Sequence, residues 1–153
     1  MFHGTKLYST TLLIAAAFFF AELTYTVPVN AEPILVIVHP NNQITDLSIA
    51  QVQNIFFGKI KQFSTGQKAT PYTLQQGQPG REEFTQVIME KTEVEYRAYW
   101  ARMIFTGRGR PPIELTTEQE VVDLIKKDEH AIGYVTTRQL IDGVKVALEL
   151  EVP

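Results

Sequence analysis

Residues 34 to 38 read Ile-Leu-Val-Ile-Val, an unbroken apolar run rich in β-branched side chains. A strand with one face in water alternates apolar and polar residues, whereas a run without alternation is typical of a strand that is covered on both faces. The turn-forming residues His39 to Asn42 follow directly and end the strand. This run therefore predicts a sheet with packed layers on both of its sides.

Helical patterns follow this strand at four places. Ser48 stands at an N-cap position, and apolar residues recur at helical spacing from there until Gly58. A second pattern opens after Gly80, and a third begins near Glu93. The fourth starts at Thr117, which has a glutamate three residues later and so has the spacing of a capping box.

Three further segments have the composition of strands: 69–74, 131–135 and 144–150. The predicted order of elements is β-α-β-α-α-α-β-β. This order favours an α/β fold, a single lobe with a mixed sheet flanked by helices.

The first thirty-one residues have the layout of a secretory signal peptide. Lys6 supplies a positive charge, Leu12 to Ala21 is an uncharged apolar run, and the segment ends in small residues at Ala31. An uncleaved membrane anchor is the alternative, although Glu22 interrupts the run before it reaches the roughly 20 residues that span a bilayer. We expect cleavage after Ala31, a periplasmic location and one compact domain over residues 32–153.

Composition limits the classes of function. The chain has no cysteine, which excludes disulfides, thiolate metal sites and a lipid-bearing cysteine. Its net charge of -3 gives no general attraction for nucleic acid, so an anion site requires a local cluster of donors. We expect no nucleic-acid partner, no cofactor and no metal.

Catalytic residue sets are missing from the sequence. His39 and His130 are the two histidines of the expected mature chain, and neither lies in a zinc-protease motif. There is no nucleophile elbow of the Gly-x-Ser-x-Gly type and no cysteine nucleophile. We therefore expect that the protein is not an enzyme.

Three loops carry candidate anion ligands, and we expect them to converge on one site; two of them lie next to predicted strands or helices. His39 and Asn41 follow the first strand, where open α/β sheets place ligand loops, although an ordinary turn is the favoured interpretation of these residues taken alone. Gln78 and Gly80 precede a predicted helix whose free amides attract anions. Arg81 places a positive charge at the amino-terminal end of that helix, where the helix dipole disfavours it. Because such local conflicts occur preferentially at functional sites, we interpret Arg81 as a candidate for a bidentate contact with an oxyanion.

A third loop contains Arg108 and Arg110, two guanidinium groups beside a Pro-Pro pair. They are candidates to grip an oxyanion, and salt bridges with nearby glutamates such as Glu114 are the alternative. In the helix before this loop, Tyr96, Tyr99, Trp100 and Met103 lie at helical spacing and are interpreted as core.

Several of these segments together resemble a known family. They are residues 34–40, 47–59, 77–84, 99–112 and 131–135, and they cover nearly all of the expected mature chain in order. They are similar to the phosphate-binding branch of the type 2 periplasmic binding proteins, in its short, single-domain form. One departure is visible, because Gly77-Gln78-Pro79-Gly80 stands where phosphate binders have Gly-Ser-Gly-Thr.

The resemblance implies a periplasmic solute-binding module for phosphate or a similar oxyanion, serving an ABC transporter or a sensor in the inner membrane. It implies Tyr134 as a further ligand-binding residue beside the candidates above. One lobe leaves a ligand half solvated, so binding should be weak unless a partner or a second copy completes the cleft. The alternative is a ligand-free interaction module that docks on an envelope or membrane complex.

Overall fold

The computed structural model describes Met1 and residues 32 to 152. The expected signal peptide therefore lies outside the described residues, apart from its first methionine. Among the residues described, no helix is both long enough and apolar enough to cross a bilayer.

Five strands form one mixed sheet in the order β3-β2-β4-β1-β5. β2 runs parallel to both β3 and β4, whereas β1 runs antiparallel to β4 and β5. In register, Leu35 lies opposite Val135 and Val38 lies opposite Ile132. The strands span β1 (Ile34–Val38), β2 (Thr70–Leu74), β3 (Ile113–Leu115), β4 (Ala131–Val135) and β5 (Lys145–Leu150).

The helices begin where the sequence places their caps. Ser48 caps the first helix and Thr92 the third, each in a complete capping box with the residue three positions later. Thr117 caps the fourth by accepting a bond from the amide of Glu120. The helices are α1 (Ile49–Phe56), α2 (Arg81–Glu83) with a π-helical turn (Phe84–Ile88), α3 (Glu93–Phe105) and α4 (Glu118–Ile125), with a 3₁₀ turn at Arg138–Leu140.

Helices cover both faces of the sheet. Neighbouring residues of a strand point to opposite faces, and in β4 Gly133 contacts Val121 of α4 while Tyr134 stacks on Phe84 with ring centroids 3.7 Å apart. α4 therefore covers one face, and the π-helical turn, together with Phe56 of α1, covers the other. All five residues of β1 are fully buried, as its unbroken apolar run predicts.

The α/β class and the mixed sheet flanked by helices are confirmed. One strand was not predicted, because β3 has only three residues, follows Pro111-Pro112 and is largely exposed, so its sequence lacks a strand pattern. Its pairing with β2, Tyr72 opposite Ile113, is what assigns it to the sheet. The interpretation of Tyr96 and Trp100 as core is confirmed, since they are 4% and 5% exposed.

Candidate functional site

A hollow of about 260 Å³ lies at the carboxyl ends of β2 and β4. Because these two strands are parallel neighbours, the loops that follow Leu74 and Val135 meet at the same edge of the sheet. The amino-terminal end of α4 forms the third wall. The residues that line the hollow are Glu32, Leu74, Gln78, Pro79, Thr117, Glu118, Thr136 and Thr137.

Three hydrogen-bond donors in this hollow converge on one carboxylate, that of Glu118. The amide and the hydroxyl of Thr136 donate to its Oε1 at 2.6 and 2.8 Å, and the amide of Thr137 donates to its Oε2 at 3.2 Å. Hydrogen bonds to a charged acceptor are stronger than those between neutral groups. The loop after β4 therefore forms a binding site for an anionic oxygen, and a side chain of the chain itself occupies it.

Gly80 is in close contact with this cluster. Its φ of +79° is a conformation that side-chain-bearing residues rarely adopt. A Cβ atom at this position would lie 2.9 Å from Cγ2 of Thr136 and 3.2 Å from Oε1 of Glu118. The predicted anion loop and the donors after β4 are thus in van der Waals contact, and glycine is what permits the approach.

Arg81 lies within the protein, only 3% exposed. Its Nε and Nη2 donate to the two carboxylate oxygens of Glu93 at 2.6 and 3.3 Å. Its Nη1 donates to the hydroxyl of Thr73 at 2.6 Å and to the carbonyl of Leu74 at 2.8 Å. The guanidinium therefore joins α2 to α3 and β2, and four of its five N–H groups already have partners.

Tyr134 belongs to the same buried network and is fully buried. Its hydroxyl shares a 3.0 Å hydrogen bond with the hydroxyl of Thr73 and accepts one from the amide of Leu74 at 3.2 Å. Burial raises the pKa of this phenol, although these hydrogen bonds and the nearby Arg81 act in the opposite direction. The hydroxyl is therefore neutral at ordinary pH and supports the loop from within the core.

Glu93 compensates the charge of Arg81. Burial by itself raises the pKa of this carboxyl group, but hydrogen bonds from Arg81 and from Thr85, whose hydroxyl lies 2.6 Å from Oε1, overcome that effect. The net result is a lowered pKa, so Glu93 is ionised throughout the neutral range. The ion pair leaves no net charge behind the loop.

His39 and Asn41 lie at the opposite edge of the sheet from this hollow. β1 is antiparallel to β4, so the carboxyl end of β1 meets the beginning of β4. The side chain of Asn42 accordingly donates to the carbonyl of Glu129, just before β4. Within the loop, the amide of Asn41 donates to Nδ1 of His39. The expectation that this loop converges with Gln78 and Gly80 on one anion is corrected by the direction of β1.

Arg108 and Arg110 are also placed away from the hollow. They precede β3, which is parallel to β2, so their loop lies at the edge where these strands begin. Both side chains are exposed, and Gly109 beside them packs against Trp100. Of the residues predicted from sequence, only Gln78, Gly80, Arg81 and Tyr134 are therefore near the donors that follow β4.

Sequence reasoning missed Glu118, Thr136 and Thr137. A signal for the threonines was present, because they directly follow the buried strand β4 and so lie where ligand loops are expected. No such signal exists for Glu118, which is one of several glutamates at the start of α4. Within residues 32 to 152, no cluster of three histidine, aspartate or glutamate side chains could hold a metal ion.

Comparison with known proteins gives similarity at the level of three-dimensional structure. The chain matches no protein-family model and no curated protein. It is similar to a phosphate ABC transporter substrate-binding protein from Clostridium perfringens, solved with bound phosphate, with a TM-score of 0.61 and 20% identity over 78% of this chain. An ABC-type phosphate transport receptor from Vibrio cholerae gives a TM-score of 0.58 and 17% identity over 74% of this chain.

PstS from Borrelia burgdorferi is a third similar structure, with a TM-score of 0.56 and 18% identity over 78% of this chain. The matches cover only 46%, 44% and 46% of these three proteins, so the chain spans less than half of their length. The first is described as a substrate-binding protein and the second as a transport receptor, and none of the three as an enzyme. The described domain therefore has the fold of one periplasmic-binding-protein-like lobe.

Proposed function

We propose that this domain is a periplasmic solute-binding module whose site for a small oxyanion, such as phosphate, is the hollow after β2 and β4. The observation that carries the proposal is the convergence of three donors, from Thr136 and Thr137, on the carboxylate of Glu118. Donors arranged around one carboxylate suit another small oxyanion. The oxyanion would take the place of the Glu118 side chain.

The donors available to the ligand in this proposal are neutral. They are the amide and hydroxyl of Thr136, the amide of Thr137 and the amide of Gly80. The amide of Gln78 already donates to the carbonyl of Gln75 at 3.1 Å, and Pro79 has no N–H. Arg81 supports the loop from behind, with its charge compensated by Glu93. Glu118 also competes as a tethered anion with a high effective concentration. Both features predict weak affinity in the isolated domain.

The three similar structures support the choice of ligand class, since one contains phosphate and another is a phosphate transport receptor. The inner-membrane partner would then be an ABC transporter or a sensor. Because the chain spans less than half of their length, a partner protein or a second copy would be needed to enclose the ligand fully. The expected signal peptide would deliver the domain to the periplasm.

Calorimetric titration with phosphate, sulfate and acetate tests the proposal. We expect weak phosphate binding by the wild type and at least a tenfold gain in affinity in Glu118→Ala, because the competing carboxylate is removed. Glu120→Ala is the matched control, since it removes the same charge one half-turn away, where the side chain bonds to Thr116. Thermal melting of each variant confirms that it is folded before titration.

Two results would count against the anion site. One is the absence of heat in folded Glu118→Ala at millimolar phosphate. The other is an equal gain in Glu118→Ala and Glu120→Ala, which would mean that only the overall charge matters.

A second candidate function is a ligand-free interaction module. The observation that favours it is that the chain already satisfies its own donors, those of Thr136 and Thr137 through Glu118 and those of Arg81 through Glu93. A folded Glu118→Ala variant that binds no oxyanion would favour this role. The partner would then be an envelope or membrane complex.

A further inference from the structure

Helix α3 carries a row of exposed apolar side chains. Val94, Ala98, Ala101 and Phe105 follow one another at spacings of four, three and four residues, which places them on one side of the helix. All four are exposed, Val94 at 67% and Phe105 at 93%. We call these four residues the α3 seam.

The seam is separate from the face that holds α3 on the protein. That face includes Tyr96, whose hydroxyl donates to the carbonyl of Phe56 at 3.0 Å, and Tyr99, whose hydroxyl donates to the carbonyl of Phe57 at 2.7 Å. It also includes Trp100, which is 5% exposed. At 100° per residue these three point away from the seam. α3 therefore has two apolar faces, and the fold needs only one of them.

The spacing of the seam is the same when it is read from either end. Spacings of four, three and four are those of the a and d positions in a coiled-coil contact. A second α3 helix that runs antiparallel to the first would therefore place every seam residue opposite another seam residue. Val94 would lie opposite Phe105 of the other copy, and Ala98 would lie opposite Ala101. A two-fold axis would pass between the helices at their middle, so each contact would occur twice.

The sizes of the seam residues suit this arrangement. The two central positions are alanines, and the distance between two packed helices depends on the side chains at the contact, so the helices can approach closely there. At each end of the pair, Val94 of one copy and Phe105 of the other would fill the space beyond the alanines. Both of these exposed side chains would then be removed from water.

The seam has two different flanks. Glu95 and Arg102 lie on one of them, at the edge of a hollow of about 460 Å³. Arg97 and Ile104 lie on the other, at the edge of a hollow of about 260 Å³. All four side chains are exposed, Ile104 at 57%. In a coiled-coil contact these flanking positions determine the orientation of the partner helix.

The charges of the flanks favour an antiparallel pair over a parallel one. In an antiparallel pair equivalent flanks meet, so Glu95 of each copy would lie beside Arg102 of the other, and the aliphatic part of Arg97 would cover Ile104. In a parallel pair opposite flanks meet, and Arg97 of each copy would face Arg102 of the other. The first arrangement has two attractive charge pairs, whereas the second has two repulsive ones.

Both members of the attractive pair are available for it. Oε2 of Glu95 accepts hydrogen bonds from the amide and the hydroxyl of Thr92 at 2.9 and 3.0 Å, which leaves its Oε1 for another donor. Within residues 32 to 152 the ion pairs are those of Arg81 and Arg138, so Arg102 has no carboxylate partner among these residues. A second copy supplies both charges in the places where they are needed.

Two further features limit the strength of the contact. Lys59 and Lys91 line the same hollow as Glu95 and Arg102, so positive charge exceeds negative charge on this flank, although long exposed lysine side chains can extend into water. α3 has 13 residues and is therefore about 20 Å long. One pair of helices of this length buries less than the roughly 1,200 to 2,000 Å² of a stable interface. We therefore expect a weak dimer that forms at high protein concentration.

We propose that the α3 seam is the contact surface of a two-fold homodimer in which the α3 helices of two copies lie antiparallel. The seam residues form its apolar centre, and a Glu95–Arg102 pair in each direction closes one flank. This inference does not depend on the anion site, because the seam and the hollow after β4 have no residue in common.

Sedimentation equilibrium of the purified protein tests the proposal. We expect the wild type to form a dimer whose fraction rises with concentration up to about 1 mM. Ala101→Glu places a charge in the middle of the seam at an exposed position, and we expect it to weaken the dimer at least tenfold. Ala50→Glu is the matched control, since it makes the same change at an exposed position of α1, and it should leave the dimer unchanged.

A second set of variants tests the orientation. Arg102→Glu would place two carboxylates beside each other at both ends of the axis, and we expect it to weaken the dimer at least tenfold. Arg97→Glu makes the same change of charge on the other flank, where Ile104 is the neighbour, and should alter the dissociation constant less than threefold. Thermal melting of each variant confirms that it is folded.

Glu95→Gln gives the sharpest readout. Glutamine also serves at this position of a capping box, so the start of α3 is preserved. In the wild type the substitution removes an attraction and should weaken the dimer. In the Arg102→Glu background it removes a repulsion and should strengthen the dimer.

Four outcomes would overturn the proposal. They are the absence of a dimer up to about 1 mM, a dimer that folded Ala101→Glu leaves unchanged, a dimer that Arg97→Glu strengthens, and a weakening by Glu95→Gln in both backgrounds. The first would leave the seam to a different protein or to a membrane, and the second would place the contact elsewhere on the molecule. The third would indicate parallel helices, and the fourth would mean that the two charges do not meet across the axis.

Discussion

Two loops of the molecule each contain a glycine with positive φ and at least one arginine: the first runs from Gln78 to Arg81 and the second from Gly107 to Arg110. In the first loop Arg81 is buried and bonded to Glu93, Thr73 and Leu74. In the second, the arginines are exposed. An arginine beside a glycine in a loop therefore does not indicate an anion ligand until its partners are known.

The largest expected difference between the loops concerns the arginines themselves. Arg81→Ala should lower the free energy of unfolding by about 3 to 5 kcal/mol, because it leaves Glu93 without its buried partner. Arg110→Ala should change it by less than about 0.5 kcal/mol, since the side chain is exposed. Urea denaturation measures both values. Similar losses in the two variants would contradict the assignment of Arg81 as a structural residue.

The glycines should differ by a smaller amount. Gly80→Ala and Gly107→Ala both place a side chain at positive φ, +79° and +66°, and both should lose about 1 to 2 kcal/mol for that reason. A Cβ at Gly80 also meets Thr136 and Glu118, whereas one at Gly107 meets no atom within 4 Å. We therefore expect Gly80→Ala to lose about 1 to 3 kcal/mol more.

Thermal and urea denaturation of the two glycine variants provide the measurement. Equal stability would mean that the loop containing Gly80 moves away from Thr136 at little cost, and the proposed contact between the loop and the donors after β4 would lose its support.

The smallest expected effect is a pH dependence that comes from Glu93, the partner of Arg81 in the first loop. The pKa of Glu93 is lowered from its ordinary value of 4.5 in the folded protein, so its contribution to stability is complete above that value. It is lost as the pH falls through the lowered pKa of the folded state. Urea denaturation between pH 7 and pH 3 should therefore show a steeper acid loss in the wild type than in Glu93→Gln. Parallel profiles would mean that Glu93 does not contribute to acid sensitivity.

Part of the candidate site could be predicted from sequence. The loop at Gln78 and Gly80 was found because glycines before a helix leave amides free. His39 and Asn41 were assigned to the same site because they follow a buried strand, but the antiparallel direction of β1 places them at the other edge. Strand direction depends on which strands pair, and local sequence does not contain that information.

Local sequence by itself determined where α1, α3 and α4 begin, since the caps at Ser48, Thr92 and Thr117 act within one helical turn. It also determined that β1 is covered on both faces. The tertiary structure alone decided that Glu118 accepts the hydrogen bonds of Thr136 and Thr137, that Arg81 is a core residue, and that apolar residues of α3 are left exposed. The physical reason is range: caps and periodicity depend on residues a few positions apart, whereas these contacts depend on strand order and helix placement, which the whole chain sets together.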